Sequence, residues 1–358
     1  MIRLKLLIIT SCLSKIEYFI FLEQSSILYM KLYNIFLLFL YYKYTNAFTN
    51  FIKKTNNIIK SKTSLLNMLP KGGSNVALVT PMKENNEIDY EALIRLLKWH
   101  EKEQTDGIVI LGTTGEGSTI NMSERSRIIE TTVNLLKNKV PIIVGTGGVD
   151  TNKVIELTQN AKDLGADASL IITPYYVKPP QRALITHFTN IADSVDLPMI
   201  LYNCPGRTGV DMSTETISRL SLHPNIIGVK DASGELNRVK LLREQCKENF
   251  LLYSGEDSQG CDFVSMGGDG VISVTANVYP LLEHCMLKLA KEGNYDLANK
   301  INSKLMPMHN NLFIESNPIP VKRVLHILGK INNGIRPPLT HLSPINYVKL
   351  KNILNSLS

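Results

Sequence analysis

Short apolar runs alternate with longer amphipathic stretches from about residue 75 onward. The runs are four or five residues long and rich in Val, Ile and Leu, which is typical of strands that are buried on both faces. The stretches between them carry apolar residues at helical spacing, as in segment 90–99, where Asp89 occupies the N-cap position. We predict eight strands, at residues 76–79, 107–111, 141–144, 168–172, 198–201, 226–229, 250–253 and 270–274.

This alternation predicts one parallel sheet, because each parallel connection needs a crossover helix. Eight such units in roughly 200 to 250 residues close into a (β/α)8 TIM barrel, which we place at residues 73–281. An open, doubly wound sheet is the alternative, but it fits eight units less well and no G-x-G-x-x-G opens the first helix. Residues 282–358 show a helical pattern interrupted by prolines, which predicts a C-terminal helical extension.

The first 72 residues have a different pattern. The apolar patches at 6–13 and 35–42 are each shorter than the roughly 20 residues of a membrane span. Met30-Lys31 forms a charged start before the second patch, and residues 48–69 contain no acidic residue, as in a transit peptide. This order resembles the two-part leader of proteins sent to plastids with extra membranes. We therefore predict a targeting leader at residues 1–72, a plastid-type organellar location and no membrane partner for the mature protein, with a mitochondrial leader, a membrane anchor and a cytoplasmic location as alternatives.

The net charge of +7 is concentrated in this leader. Residues 1–74 contain ten basic and two acidic residues, whereas the remaining 284 residues contain 29 basic and 30 acidic residues. A near-neutral body argues against a groove for nucleic acid. The five cysteines include no C-x-x-C pair, which argues against disulfides or zinc and for a reducing compartment. The seven histidines fall outside the predicted strand ends, so we expect no catalytic metal.

Lys230 directly follows the sixth apolar run, at the carboxyl end of a strand, where TIM barrels carry their active sites. Burial there would disfavour the ammonium form, lower the pKa and leave a neutral amine that can form a Schiff base with a carbonyl substrate. The alternative is that the strand stops at Val229 and Lys230 extends into solvent. The predicted strand ends carry no pair of carboxylates, which argues against a glycosidase.

Two loops after other strands carry further candidate groups. The segment Leu111-Gly-Thr-Thr-Gly-Glu116 follows the second strand, and its glycines allow backbone N–H groups and two hydroxyls to form a small site for a carboxylate. Tyr202 ends the fifth strand and Arg207 follows five residues later. A phenol can relay protons, and an arginine can bind a carboxylate through two hydrogen bonds. An aromatic core residue and a surface arginine are the structural alternatives.

Together these motifs resemble the dihydrodipicolinate synthase and N-acetylneuraminate lyase superfamily of pyruvate-dependent class I aldolases. The motifs G-T-T-G-E, T-P-Y-Y, Y-N-C-P-G-R-T-G, G-V-K-D-A-S-G and V-I-S-V-T-A-N-V occur in this order over residues 75–279. The double threonine and the arginine of R-T-G are most similar to the dihydrodipicolinate synthase branch. The resemblance implies condensation of pyruvate with L-aspartate 4-semialdehyde on the diaminopimelate route to lysine. A related aldolase for a keto-deoxy sugar acid, N-acetylneuraminate or 4-hydroxy-2-oxoglutarate is the first alternative, and a catalytically inactive barrel is the second.

The resemblance also implies catalytic roles. Lys230 would form the imine with pyruvate, so no separate cofactor is expected, and Tyr202, Thr113 and Tyr176 would form a proton relay. In this family Tyr175 or Tyr176 often reaches into a neighbour's site. A homotetramer built from tight dimers, or a homodimer, is therefore expected.

Substrate-binding roles follow from the same resemblance. Thr113 and Thr114 would hold the pyruvate carboxylate, and Arg207 would meet the carboxylate of aspartate semialdehyde. Gly255 and Ile272 would line the pocket.

One group of positions departs from the family pattern. Many lysine-pathway members bind lysine as a feedback inhibitor, and the matching positions here are Met122, Arg125, Val149 and Lys153. A cation at Lys153, where an acid is expected, would repel the ammonium group of a lysine ligand. We predict weak or absent inhibition by lysine.

Overall fold

A computed structural model describes residues 69–357. The predicted leader at residues 1–72 therefore lies outside the described residues, apart from its last four positions. Eight parallel strands form a closed barrel in sequence order, with the last strand hydrogen-bonded to the first. Helices lie between successive strands, so the predicted (β/α)8 TIM barrel is confirmed.

The strands begin or end up to three residues away from the predicted apolar runs. The largest difference is at the first strand, where small and polar residues from Gly73 onward pair with the eighth strand although they carry no apolar signal. The strands are β1 (Gly73–Ala77), β2 (Gly107–Ile110), β3 (Ile142–Gly145), β4 (Ala168–Ile172), β5 (Met199–Asn203), β6 (Ile226–Asp231), β7 (Leu251–Ser254) and β8 (Gly270–Ser273).

The helices begin where polar caps precede amphipathic sequence. Asp89 caps the first helix by accepting a hydrogen bond from the Ala92 backbone N–H, as predicted, and Asn121 forms a capping box with Glu124 at the second. The helices are α1 (Tyr90–Lys102), α2 (Met122–Leu136), α3 (Thr151–Asp163), α4 (Gln181–Ser194), α5 (Pro205–Thr208), α6 (Thr214–Ser221), α7 (Asn237–Gln245), α8 (Gly260–Ser265), α9 (Pro280–Lys291), α10 (Tyr295–Asn311), α11 (Ile319–Ile327) and α12 (Pro344–Leu357).

Two kinds of core result from the alternation of side chains along each strand. One set packs inside the barrel, where Val109, Ile200 and Ile272 meet. The other set packs between strands and helices, as Val229 does with the helical layer around β5 and β6. Both faces of every strand are therefore buried, which explains the continuous apolar runs in the sequence.

The C-terminal helices pack onto the barrel. The predicted boundary between the barrel and the extension, at residues 281 and 282, falls inside α9. The division into a barrel at 73–281 and an extension at 282–358 stays a prediction. A buried ion pair joins Lys322 of α11 to Glu116 in the loop after β2, and the Arg336 backbone N–H donates to the same carboxylate at 3.1 Å. These contacts hold the loop at residues 312–318 over the strand ends of the barrel. Across residues 69–357, no helix is both long and apolar enough to span a membrane.

Candidate active site

Lys230 is the fifth of six residues in β6 and is only 6% exposed. It pairs in register with Tyr202 of β5 and Tyr253 of β7, and its Nζ lies 4.5 Å from the centroid of the Tyr202 ring. The strand thus continues past Val229, where the apolar run ends. Lys230 does not extend into solvent, which rules out the alternative in which it is a surface side chain.

Burial is the main influence on the pKa of Lys230 and lowers it to about 8. The carboxylates of Asp257 and Glu256 and the ionised form of Cys204 act in the opposite direction, because negative charge favours the ammonium form. The net effect leaves a larger fraction of neutral amine near neutral pH than an exposed lysine has. A neutral amine is the form that attacks a carbonyl group.

The phenol of Tyr202 lies beside this amine and is 8% exposed. Burial raises its pKa well above the ordinary value, and the neighbouring Cys204 adds to the rise. Tyr202 therefore stays protonated at neutral pH. In this position it can donate a proton to, or accept one from, a group bound to Lys230.

A polar network on the outer side of β5 and β6 fixes the direction of these two residues. Asn203, next to Tyr202, donates from Nδ2 to Asp231 at 2.9 Å and to Asp211 at 2.7 Å. Arg238 of α7 donates from Nε to Asp231 at 3.0 Å and pairs with Asp211. Because side chains alternate along a strand, anchoring Asn203 and Asp231 outward directs Tyr202 and Lys230 inward.

Five of the other predicted residues line the same cavity as Lys230. This cavity, of about 600 Å³, is called the inner cavity below. The predicted residues that line it are Thr113, Thr114, Tyr202, Arg207 and Gly255, together with Lys230.

The threonines and the arginine differ in their surroundings. Thr114 is 2% exposed, and its hydroxyl accepts a hydrogen bond of 2.9 Å from Nδ2 of Asn317. Thr113 is half-buried, and Leu111 before it has a φ of 58°, which turns the chain sharply at the strand end. Arg207, on the short helix α5, is exposed, and its guanidinium forms no ion pair within residues 69–357. It is free to bind an anion.

Two predicted site residues do not line the inner cavity. Ile272 is 1% exposed and packs in the barrel core below the cavity. Tyr176 is 89% exposed, with a φ of 70°, and lies outside the cavity within this single chain. Within this single chain, Tyr176 therefore does not join Tyr202 and Thr113 as the predicted relay requires.

Several residues of the inner cavity were not predicted from the sequence, among them three with polar side chains that could contact a ligand. Glu256 follows Gly255 after β7, and Glu315 and Asn317 come from the loop between α10 and α11. Two carboxylates therefore line the cavity, although only Glu256 follows a strand and Glu315 comes from the helical extension. Glu256 could have been found by the rule that selected Gly255, since it is the next residue. No pattern in the sequence indicates that the loop at 312–318 lies at the barrel mouth.

A second cavity, of about 790 Å³, continues outward and is called the outer cavity below. Met122, Arg125, Val149 and Lys153, the four positions at which lysine binding was expected to fail, all line it. Arg125 is 4% exposed and has no ion pair within residues 69–357, while Lys153 pairs with Glu156 at 2.6 Å. Burial lowers the pKa of Arg125 to about 10.

The histidines lie mostly away from this mouth. His100, His187 and His309 are buried in helices, where burial lowers the pKa of each. In the part of the chain described here, no group of three or more His, Cys, Asp or Glu side chains is arranged to hold a metal ion. The side chains around Lys230 are suited to covalent catalysis by an amine.

Known proteins are similar to the chain over nearly all of the described residues. The model of the dihydrodipicolinate synthetase family matches residues 70–357. A 4-hydroxy-tetrahydrodipicolinate synthase from Coxiella burnetii is 50% identical over 285 residues, covering 80% of this chain and 98% of the relative. The enzyme of the same name from Alcanivorax borkumensis is 48% identical over 279 residues, covering 78% and 95%. The chloride inhibited dihydrodipicolinate synthase from Acinetobacter baumannii, solved with pyruvate, matches with a TM-score of 0.79 and 45% identity, over 80% of this chain and 99% of that one.

Proposed function

Since the chain belongs to the dihydrodipicolinate synthetase family, we propose that it condenses pyruvate with L-aspartate 4-semialdehyde through a Schiff base on Lys230. The chain is an enzyme of the lyase class. Its product is 4-hydroxy-tetrahydrodipicolinate, in the first committed step of the diaminopimelate route to lysine. The observation that carries the mechanism is a buried amine, with its pKa lowered to about 8, in a cavity shared with Tyr202, Thr113 and Arg207.

The amine of Lys230 attacks the C2 carbonyl of pyruvate and forms a carbinolamine. Tyr202 protonates the departing hydroxyl, water leaves and the imine forms. Loss of a C3 proton gives an enamine, whose C3 attacks the aldehyde carbon of the second substrate. The amino group of that substrate then attacks the imine carbon, closes the ring and releases the amine of Lys230.

The remaining residues of the inner cavity bind and position the substrates. Thr113 and Thr114 hold the carboxylate of pyruvate through their hydroxyls and backbone N–H groups. Arg207 binds the carboxylate of aspartate semialdehyde, and its free guanidinium at the mouth supports this role. Gly255 leaves room for the lysine chain, because a Cβ there would lie 3.1 Å from Lys230 Cε.

Trapping of the imine tests the mechanism. Borohydride added with pyruvate should attach a reduced pyruvyl group to Lys230, detected by mass spectrometry of the proteolysed protein. The trapping rate should rise with pH up to about pH 8 and then level off, as the amine loses its proton. An unmodified Lys230, with the adduct absent or on another lysine, would defeat the proposal.

The complete enzyme is proposed to be a homotetramer of tight dimers, with a homodimer as the smaller unit that completes the site. The exposure of Tyr175, Tyr176 and Val177 on one loop supports this proposal, since a neighbouring subunit would cover these large side chains. Sedimentation equilibrium of the wild type and of Tyr176→Ala tests it. A monomer with full activity would contradict it.

Residues 1–72 are proposed to be a cleaved leader that directs the protein to a plastid-type organelle. The basic, acid-free segment 48–69 after an apolar stretch supports this proposal. Mass spectrometry of the protein isolated from its source would give the mature N-terminus, and a fluorescent fusion of residues 1–72 would report the compartment. A mature protein that retains residue 1 would overturn it.

A further inference from the structure

Glu256 is an acidic side chain of the inner cavity that the mechanism above does not use. Its backbone is fixed, because its N–H donates to Ser254 Oγ at 3.0 Å and its carbonyl accepts from the same hydroxyl at 3.1 Å. The next residue, Asp257, accepts hydrogen bonds from the backbone N–H groups of Val274 and Thr275 after β8. The loop that carries Glu256 is thus held between β7 and β8, while its side chain is partly buried at the cavity wall.

The carboxylate of Glu256 has no hydrogen-bond donor and no ion pair in the part of the chain that the structure describes. The other acid of the cavity differs in this respect. Glu315 accepts from Ser343 Oγ at 2.6 Å and from Asn346 Nδ2 at 2.7 Å, so its charge is already stabilised. The cavity contains a second acceptor without a donor, the Oδ1 of Asn317, a residue that is 5% exposed.

Two cations lie near Glu256 without pairing with it. Burial raises the pKa of Glu256, and the negative charges of Asp257 and Asp231 raise it further. The positive charges of Lys230 and Arg207 lower it, so both cations are close enough to act on the carboxylate. In the mechanism above, Lys230 becomes part of the imine and Arg207 binds a substrate carboxylate. Glu256 then remains as an acceptor that needs a positively charged donor from the ligand.

The order of the strands places these three groups around one small molecule. Arg207 follows β5, Lys230 lies in β6 and Glu256 follows β7, and these strands are neighbours in the barrel. In aspartate semialdehyde, a single CH2 group separates the aldehyde carbon from the carbon that carries both the carboxylate and the ammonium. Arg207 and Glu256 thus flank the lysine that carries pyruvate, in positions that match the carboxylate and the ammonium of this second substrate.

We propose that Glu256 binds the α-ammonium group of aspartate semialdehyde and thereby selects an amino-acid aldehyde over aldehydes that lack the amine. This inference rests on the proposed function. An acceptor aldehyde without an amine leaves the partly buried carboxylate of Glu256 unpaired, which costs binding free energy. An acceptor with a second carboxylate in place of the amine is repelled.

Two unreactive analogues that differ in the amine test the proposal. L-Homoserine carries the ammonium, 4-hydroxybutyrate lacks it, and neither has an aldehyde that could react. Both are measured as inhibitors competing with aspartate semialdehyde. In the wild type we expect the inhibition constant of L-homoserine to be at least about tenfold lower than that of 4-hydroxybutyrate. In Glu256→Gln this ratio should fall close to one, while the constant for 4-hydroxybutyrate changes little.

The controls separate charge, fold and function. Glu235→Gln makes the same charge change at an exposed residue outside the cavity and should keep the wild-type ratio. Glu256→Asp keeps the charge on a shorter side chain and should give an intermediate ratio of the two inhibition constants. This variant tests the proposal if Glu256→Gln folds poorly. An unchanged ratio in Glu256→Gln, or equal constants in the wild type, would overturn the ammonium site. Absence of wild-type turnover with aspartate semialdehyde would instead defeat the proposed function.

Discussion

The inner and outer cavities share part of one wall, including Thr113, Tyr202 and Arg207, but they differ in their charges. In the inner cavity, the cations Lys230 and Arg207 lie close to the unpaired carboxylate of Glu256. In the outer cavity, Arg125 has no ion pair among the described residues, and Lys153 pairs with Glu156 at the surface. The acids that line the outer cavity are already engaged, since Glu116 pairs with Lys322 and Asp150 caps α3.

This difference predicts that the two cavities interact differently with an ammonium group. An ammonium group entering the inner cavity finds an unpaired acceptor, whereas an ammonium group in the outer cavity meets like charge. A substrate with both an amine and a carboxylate therefore suits the inner cavity. We therefore expect weak or absent binding of lysine at the outer cavity.

The largest expected effect is the loss of the amine that defines the inner cavity. Lys230→Arg keeps a positive charge but cannot form an imine, so we expect kcat to fall by several orders of magnitude and borohydride trapping to disappear. The exposed Lys240→Arg is the matched control and should keep both properties. Turnover within about tenfold of the wild type would contradict the imine mechanism.

Next in size is the buried pair that attaches the C-terminal helices to the wall of the outer cavity. Glu116→Gln leaves Lys322, 4% exposed, without its counter-charge, and should lower the free energy of unfolding by about 3–5 kcal/mol. Urea unfolding measures this change, with the exposed Glu130→Gln as control. The double variant Glu116→Gln/Lys322→Met should recover part of the loss. A change below about 1 kcal/mol in the single variant would show that the pair does not hold the extension.

Filling the space beside Lys230 should have a smaller effect on catalysis. In Gly255→Ala the new Cβ would lie 2.5 Å from the Cβ of Ala232 and 3.1 Å from Lys230 Cε, so the lysine must move. We expect kcat/KM for pyruvate to fall about tenfold, because the lysine shifts by less than the roughly 1 Å that costs about 10²-fold. Gly206→Ala, where an added Cβ meets no atom within 4 Å, should cause a much smaller loss. Equal losses in the two variants would show that the space at Gly255 is not needed.

The smallest expected effect concerns inhibition by lysine at the outer cavity. Wild-type enzyme should be inhibited by lysine weakly or not at all, because Lys153 and Arg125 repel the ligand's ammonium groups. The double variant Val149→Asn/Lys153→Glu should bind lysine at least about tenfold more tightly, since one charged hydrogen bond is gained and a repulsion is removed. An inhibition curve on both proteins decides this. Half-inhibition of the wild type at micromolar lysine would contradict the charge argument.

The sequence alone determined the architecture. Strands buried on both faces need continuous apolar runs, and eight such runs between amphipathic helices leave few arrangements other than a closed parallel barrel. The rule that chemistry lies at the carboxyl ends of strands also selected Lys230, Tyr202, Arg207 and the threonines of the β2 loop. These groups lie in the last residues of their strands or in the loops that follow, so local sequence and strand order are enough to bring them together.

Only the tertiary structure decided which further residues line the inner cavity and which predicted residues do not. Asn317 and Glu315 lie far along the chain and reach the mouth because α11 is held to the β2 loop by the pair between Glu116 and Lys322. Ile272 packs in the core and Tyr176 stays exposed within one chain, and no local pattern distinguishes such positions from cavity-lining ones. Ion pairing is equally hard to predict from the sequence. The sequence shows that Glu256 is acidic, but whether its carboxylate has a partner depends on the contacts made by every neighbouring element.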